Sequence, residues 1–329
     1  MLIVMNKSAS EQEINEVAEL IRSMGLRAQA LPGSTRTAIG VMGNIGYVDA
    51  DRVMLMPGVK ELIHVSKPYK LVSREWRPQD TTVDVAGVSF GADNPFVVIA
   101  GPCAIESRDQ ALDCAKEVKR IGARIFRGGI FKPRTGPYDF QGLGKQGAEI
   151  LNEVRKSVGI PVVTEILHIK NLELVASCAD MLQIGTRNMQ NFDLLVESAK
   201  TGMPILLKRG MSARLEEFLL AAEYILDSGN GRVVLCERGI RTFETSTRNT
   251  LDLNSVALAR ELSHLPIIVD PSHGTGRASL VKPLALAARA VGAHGLMVEV
   301  HPDPRNALSD GQQSLDFSQF ADLISALGA

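Results

Sequence analysis

At 329 residues the chain is long for one domain and short for three, and a composition that is 45% hydrophobic and 22% charged suits a soluble globular protein with a large core. A formal net charge of -1 leaves no global basic field to recommend nucleic acid or an anionic membrane as partner, so any anion site must be local. No apolar run reaches membrane-spanning length, the apolar start (residues 1–6) is too short for a signal core, and Cys103, Cys114, Cys178 and Cys236 lack the close pairing of a zinc ribbon or disulfide scaffold. A cytoplasmic protein with reduced thiols is expected.

Residues 1–68 read as strand 2–5, helix 10–24, strand 27–31, strand 36–42, a helical piece near 49–55 and strand 61–66, the β-α-β-β-α-β order of ferredoxin-like (ACT-like) domains. The helix is the clearest element. Ser10 caps it, Glu13 stands at the capping-box position, Ile14, Val17, Leu20 and Ile21 form the apolar stripe, and Gly25 ends it. With no cluster of His, Cys or carboxylates, this module suits interaction or ligand sensing better than chemistry. The polar, proline-punctuated stretch 67–80 reads as a linker, and 81–90, around Gly87, as a small hairpin able to plug whatever follows.

From Asn94 the pattern alternates apolar strands with amphipathic helices eight times. Strands are expected at 96–100, 124–127, 161–165, 180–184, 204–208, 232–236, 266–270 and 295–299. Helices are expected near 107–121, 147–158, 168–177, 190–200, 214–228, 250–262, 277–291 and 314–327, with Ser107 and Gln110 as a capping box. Eight such units predict a (β/α)8 TIM barrel over residues 69–329, and no G-x-G-x-x-G follows the first strand to suggest a dinucleotide site. Chemistry is then expected just past the carboxyl ends of the strands.

Each of those ends carries a reactive or charged side chain. Cys103 follows strand one, Arg127 and Lys132 strand two, Glu165 ends strand three and Arg187 follows strand four. Lys208 and Arg209 end strand five, Glu237 and Arg238 strand six, His273 strand seven, and Glu299 strand eight, with Asp310 beyond it. In a closed ring, strands seven, eight and one are neighbours, so Cys103, His273, Glu299 and Asp310 form a mixed set able to hold one divalent metal ion: manganese, iron, cobalt or zinc by ligand type. A lone cysteine is usually a small buried hydrophobe; the adjacency of the strands carries the inference.

The opposite arc collects Arg127, Lys132, Arg134, Arg187, Lys208 and Arg238. One or two of these are expected to pair with acids such as Glu165 and Glu237, and the remainder would repel one another unless phosphate and carboxylate groups arrived to neutralise them. The loop after strand two, Arg127 to Gly144, concentrates three of these cations among glycines and prolines, with Thr135 beside them. Pro133 and Pro137 stiffen it. His301, two residues past Glu299, is read as shaping the turn before Pro302, with a supporting role beside the metal as the alternative.

Several of these segments resemble one family. Gly101-Pro102-Cys103-Ala104-Ile105-Glu106, the loop with Lys132-Pro133-Arg134-Thr135, Gln183-Ile184-Gly185-Thr186-Arg187-Asn188, Leu207-Lys208-Arg209-Gly210, Cys236-Glu237-Arg238-Gly239, Asp270-Pro271-Ser272-His273, and Glu299-Val300-His301-Pro302 with Leu308-Ser309-Asp310-Gly311 resemble the type I 3-deoxy-D-arabino-heptulosonate 7-phosphate (DAHP) synthases, over about residues 90 to 329. This branch is related to the octulosonate 8-phosphate synthases.

The resemblance implies condensation of phosphoenolpyruvate with erythrose 4-phosphate, the first step of the shikimate route. It implies Cys103, His273, Glu299 and Asp310 as ligands of one divalent ion. Arg127, Lys132, Arg187, Lys208 and Arg238 would grip phosphoenolpyruvate, with Glu165 near its reacting end, and Arg134 and Thr135 would clamp the aldose phosphate. Lys132, Glu165, His273 and Cys103 are the residues expected to serve the chemistry directly. It further suggests a homotetramer. Members with such an N-terminal domain resemble enzymes inhibited by tyrosine or phenylalanine. The architecture carries over but the effector does not, because the second strand, Arg27-Ala28-Gln29-Ala30-Leu31-Pro32, has few polar side chains to read an amino acid. Sensitivity to tyrosine or phenylalanine is therefore a hypothesis motivated by the extra domain.

An octulosonate synthase using arabinose 5-phosphate is the near alternative. That branch typically carries K-A-N-R-S-S where this chain has Lys132-Pro133-Arg134-Thr135, which favours the four-carbon aldose. Two readings from other classes are a Schiff-base aldolase acting through Lys208 or Lys132 and a non-catalytic phosphosugar-binding regulator.

Overall fold

The computed structural model describes every residue except 34–35, 44–47, 64–67, 92, 135 and 329. The chain divides into two compact units, Met1–Lys70 and Leu71–Ala329.

In the first unit β1 (Leu2–Met5), α1 (Glu11–Ser23), β2 (Arg27–Pro32), β3 (Thr37–Met42), α2 (Ala50–Met54) and β4 (Val59–Ile63) form a four-stranded antiparallel sheet in the order β2-β3-β1-β4. The capping box expected at α1 is present in both directions: the Glu13 amide donates to Ser10 Oγ at 3.2 Å and the Ser10 amide to Glu13 Oε2 at 2.7 Å. Val17, Leu20 and Ile21 of the apolar stripe pack with Ile3, Met5, Ile39 and Val41 of the sheet. The last strand begins two residues before the expected start, and the rest of the expected span, residues 64–66, lies outside the described residues.

The second unit opens with a correction. Residues 71–80, expected as a linker, are packed down: Leu71, Val72, Ser73 and Trp76 are buried, and the Leu71 and Val72 amides both donate to the Glu223 carboxylate at 2.8 and 2.9 Å. The apolar residues spaced among the polar ones explain why. The hairpin follows as β5 (Val83–Val85) and β6 (Val88–Phe90), paired antiparallel. Its Val83, Val85, Val88 and Phe90 join one core cluster with Val97, Ile125, Val163 and Met181, which lie at or near the starts of barrel strands, so it plugs the amino-terminal end of the barrel. Each such fully buried side chain contributes about 1.5–3 kcal/mol.

The barrel strands are β7 (Val97–Gly101), β8 (Ile125–Arg127), β9 (Val162–Ile166), β10 (Met181–Ile184), β11 (Ile205–Lys208), β12 (Val233–Glu237), β13 (Ile267–Val269) and β14 (Gly295–Glu299). All eight pair in parallel with their neighbours and the ring closes. The fold is the expected TIM-type barrel with a small ferredoxin-like α+β unit before it.

The helices are α3 (Arg108–Ile121), α4 (Lys145–Val158), α5 (Leu172–Cys178), α6 (Phe192–Lys200), α7 (Leu215–Asp227), α8 (Leu253–Leu262), α9 (Pro271–Thr275), α10 (Ala278–Ala290) and α11 (Phe317–Leu327). Only half of the expected box at α3 forms. Ser107 Oγ accepts from the Gln110 amide, while the Gln110 side chain turns to the Glu106 amide and the Ala104 carbonyl. Helix α9 is additional to the expected eight.

Candidate active site

The carboxyl ends of β13, β14 and β7 bring Cys103, His273, Glu299 and Asp310 together, one donor atom from each lying within 4.8 Å of all the others. Glu299 ends β14, Cys103 stands two residues past β7, and His273 is carried by α9. The Cys103 thiol donates to Asp310 Oδ2 at 3.1 Å, and His273 Nε2 lies 3.4 Å from Glu299 Oε1 and 3.9 Å from Asp310 Oδ2. Ser309 Oγ donates to the Cys103 sulfur at 3.1 Å.

Burial pushes the Cys103 thiol up to about 12, with Glu299 and Asp310 adding to the effect. Burial acts the same way on Asp310, but His273 and Arg248 outweigh it and hold that carboxyl below the usual range. A thiol, an imidazole and two carboxylates buried this closely fit a divalent transition ion, whose charge would offset theirs and whose binding would displace the thiol proton. Asp310 also sits at φ +53°, in the left-handed region that side-chain-bearing residues rarely occupy.

Helix α9 explains how His273 is aimed. Asp270 caps it, Pro271 takes the first helical position, and the His273 amide donates to Asp270 Oδ1 at 2.9 Å. Asp270 Oδ2 accepts from His273 Nδ1 at 2.7 Å and from Lys208 Nζ. Burial would raise the Asp270 carboxyl, but His273 and Lys208 together hold it well below the carboxylate range. No site role for Asp270 emerged from the sequence, although Asp-Pro before Ser-His is a helix-start signal.

The cations do not stay in a separate arc. Arg127, buried at the end of β8, donates from Nη1 to Glu299 Oε1 at 2.9 Å and from Nη2 to the Cys103 carbonyl at 3.3 Å. Lys132 Nζ donates to the same carbonyl at 3.1 Å. Strand two neighbours strand one in the ring, so its cations reach the metal set. Glu237, expected to pair with one of the six cations of that arc, pairs instead with Arg209 at 2.9 Å, an arginine outside the six that also meets Asp252. Glu165 instead occupies the space over Gly185, where a Cβ would stand 1.8 Å from its Oε1.

Arg238 is buried and, among the described residues, donates from Nη1 to the Gly239 carbonyl at 3.2 Å; burial, reinforced by Arg248, lowers its pKa. Arg134 donates from Nε to the Phe140 carbonyl at 2.9 Å and from Nη2 to Leu308 at 3.1 Å, which ties its loop down. Thr135 lies outside the described residues. His301 Nδ1 accepts from the Asp303 amide at 3.0 Å, within the turn.

Arg127, Lys132, Arg134, Arg187, Lys208 and Arg238 line one cavity of about 180 Å³, joined by Arg248 and bordered by His273 and Asp310. Sequence reasoning missed Arg248, which lies eleven residues past the end of β12 and arrives by pairing with Asp310 Oδ1 at 3.1 Å and Gln313 Oε1 at 2.8 Å. Among the described residues the lining has seven basic side chains against the carboxylates of Asp139, Glu165 and Asp310. Such a balance, hard against a divalent-ion set, suits small polyanions.

Comparison with known proteins decides the family. Residues 75–328 match the DAHP synthetase I family and residues 1–67 the DAHP synthase ferredoxin-like domain. The chain belongs to the DAHP synthetase I family.

Within this family it is 50% identical over 324 residues to the phospho-2-dehydro-3-deoxyheptonate aldolase of Thermotoga maritima, covering 98% of this chain and 96% of that one. The crystal structure of a DAHP synthase from the same organism superposes with a TM-score of 0.79 at 49% identity, over 99% of this chain and 96% of that one. The 2-dehydro-3-deoxyphosphooctonate aldolase of Syntrophotalea carbinolica is 34% identical over 72% of this chain and 91% of its own.

Proposed function

We propose that this member of the DAHP synthetase I family condenses phosphoenolpyruvate with erythrose 4-phosphate and water, giving DAHP and phosphate at the entry to the shikimate pathway. The observation that carries the reading is the abutment of the four-donor cluster on a cavity lined by seven basic side chains.

Cys103, His273, Glu299 and Asp310 are assigned to hold one divalent ion: manganese, iron, cobalt or zinc by donor type. When bound there, the ion supplies Lewis-acid polarisation of the aldehyde oxygen. Arg127, Lys132, Arg187, Lys208 and Arg238 neutralise the phosphate and carboxylate of phosphoenolpyruvate, and Arg134 with Thr135 takes the aldose phosphate. Two polyanions that would repel in water are thereby held in reacting order, an orientation effect of about 7–11 kcal/mol at its upper range. C3 of phosphoenolpyruvate attacks the aldehyde carbon, and Glu165 supplies the carboxylate beside C2, where positive charge develops. Water adds there, one of its protons passing by way of that carboxylate to the oxygen of the former aldehyde; the C2 hydroxyl then gives up the other as the ketone forms and phosphate leaves with it by C–O cleavage.

A Schiff-base route is disfavoured by the pairing of Lys208 with Asp270 and by the environment of Lys132. Burial alone would lower the Lys132 pKa, but Cys103 and Glu165 raise it above the ordinary lysine value, which keeps the amine charged. Phosphate release decides among the readings. It is expected from phosphoenolpyruvate with erythrose 4-phosphate, and a chelator should abolish it. A preference for arabinose 5-phosphate would move the chain to the octulosonate branch, and covalent trapping by borohydride would point to the lysine mechanism.

For the N-terminal unit we extend the reading to feedback control by tyrosine or phenylalanine, motivated by the extra domain that residues 1–67 match; a cytoplasmic homotetramer is proposed from the family resemblance alone. An equal response to tyrosine in the intact chain and in one beginning at Leu71 would refute the regulatory role.

A further inference from the structure

The carboxylate of Asp270 is counted in neither the donor cluster nor the cationic lining, yet it touches one member of each. It is fully buried between the end of β13 and the start of α9. Its Oδ1 accepts from the His273 backbone amide at 2.9 Å, and its Oδ2 accepts from both His273 Nδ1, at 2.7 Å, and Lys208 Nζ.

The consequence for the imidazole is definite. A carboxylate already taking hydrogen bonds from the His273 backbone N–H and the Lys208 ammonium is ionised and can only accept from the ring, so Nδ1 carries the ring proton. The lone pair is then on Nε2, which points to Glu299 Oε1 at 3.4 Å and Asp310 Oδ2 at 3.9 Å. The other tautomer would set a lone pair against the Asp270 carboxylate and a proton where a cation belongs. Lys208 is fixed by the same oxygen, with the Met297 sulfur 3.7 Å from its Nζ.

We propose that Asp270 is a positioning residue for both halves of the site: one oxygen fixes the His273 ring with Nε2 bare toward a divalent cation and anchors the Lys208 ammonium beneath the anion cavity. This rests on the reading of the site proposed above. Asp270 touches neither the cation nor a substrate; it acts through the two side chains that do.

Asp270→Asn tests the idea, because it keeps the shape and spoils the pattern. Its amide must present N–H groups either to the His273 ring, which then takes the wrong tautomer, or to the His273 backbone N–H. Metal-free full-length protein is titrated with Co²⁺, followed by thiolate-to-cobalt absorption and by equilibrium dialysis. The variant is expected to bind Co²⁺ about 10- to 100-fold more weakly than wild type. Saturating Co²⁺ should restore kcat while KM for phosphoenolpyruvate stays raised.

A folded variant with wild-type Co²⁺ affinity would overturn the assignment, and so would weakened binding whose kcat no excess of Co²⁺ recovers, since that marks a merely structural role. Failure of the wild-type chain itself to bind Co²⁺ would instead remove the reading of the site, and this one with it. Should Asp270→Asn not fold, the ¹⁵N shifts of the His273 ring in metal-free wild type, identified by the signal missing from His273→Ala, decide the matter. A proton on Nδ1 supports the proposal and a proton on Nε2 overturns it.

Discussion

Arg127 Nη1 donates to Glu299 Oε1 at 2.9 Å, and both side chains are buried, at 4% and 0% exposure. The pair joins a member of the proposed phosphoenolpyruvate grip to a member of the metal set. Burial works against the guanidinium, but Glu299 and Cys103 outweigh it and raise its pKa. Arg127→Ala would leave a buried carboxylate whose remaining side-chain hydrogen bond, among the described residues, is the one that the Gln313 amide donates to Glu299 Oε2 at 2.6 Å. The expected loss is about 3–5 kcal/mol in urea unfolding of the metal-free protein, smaller when Co²⁺ or Mn²⁺ is present. An unfolding midpoint equal to wild type would refute the pairing.

Gly185 tests the placement of Glu165. Its backbone is ordinary, so Gly185→Ala meets no φ penalty and acts only through the Cβ that would collide with Glu165 Oε1. The carboxylate must move. Activity is expected to fall by tenfold or more, in the range of about 10²–10⁴ that a displaced acid–base group costs, while the melting temperature changes little. Wild-type kcat/KM in this variant would exclude a role for Glu165.

Arg134 is held by two backbone carbonyls, of Phe140 and Leu308, which present its guanidinium to the cavity. Arg134→Ala should raise KM for erythrose 4-phosphate far more than for phosphoenolpyruvate. Steady-state kinetics with each substrate varied in turn measures the split. Equal effects on both would count against the clamp.

Acid sensitivity should arise away from the site. Burial lowers the pKa of His264, which sits between Thr81 Oγ1 and the Leu71 carbonyl, 2.7 Å from each. The unfolded chain, with an ordinary histidine near 6.5, therefore takes up the proton first as pH falls. The stability from neutral His264 is fully present above pH 6.5 and is lost below it, at no more than about 1.4 kcal/mol per pH unit. His264→Gln should flatten part of the slope of unfolding free energy between pH 7 and pH 5, and an unchanged slope would show that the ring does not titrate with unfolding.

The eightfold alternation of strand and helix was legible because buried parallel strands and amphipathic helices leave different periods in the chain. The mixed donor set was legible too. Consecutive strands are neighbours in a closed ring, so Cys103, His273 and Glu299 could be gathered by counting. Helix α9 was missed because five residues are too few to show a period, and Arg248 because its loop lies far past a strand end. The stretch 71–80 looked like a linker because its polar residues, with Pro78 among them, outnumber the few apolar ones that pack.

By itself the sequence determined the two-part architecture, the family and which residue types stand at the barrel mouth, since these follow from local pattern and motif. Only the tertiary structure decided who pairs with whom: Arg127 with Glu299 rather than Glu165, Arg209 with Glu237, and Asp270 with both Lys208 and His273. Partners such as Arg127 and Glu299 lie 172 positions apart, and their meeting depends on strand register and on side-chain direction within the closed ring. Charge at a strand end can be read from the chain, but its counter-ion is chosen by geometry.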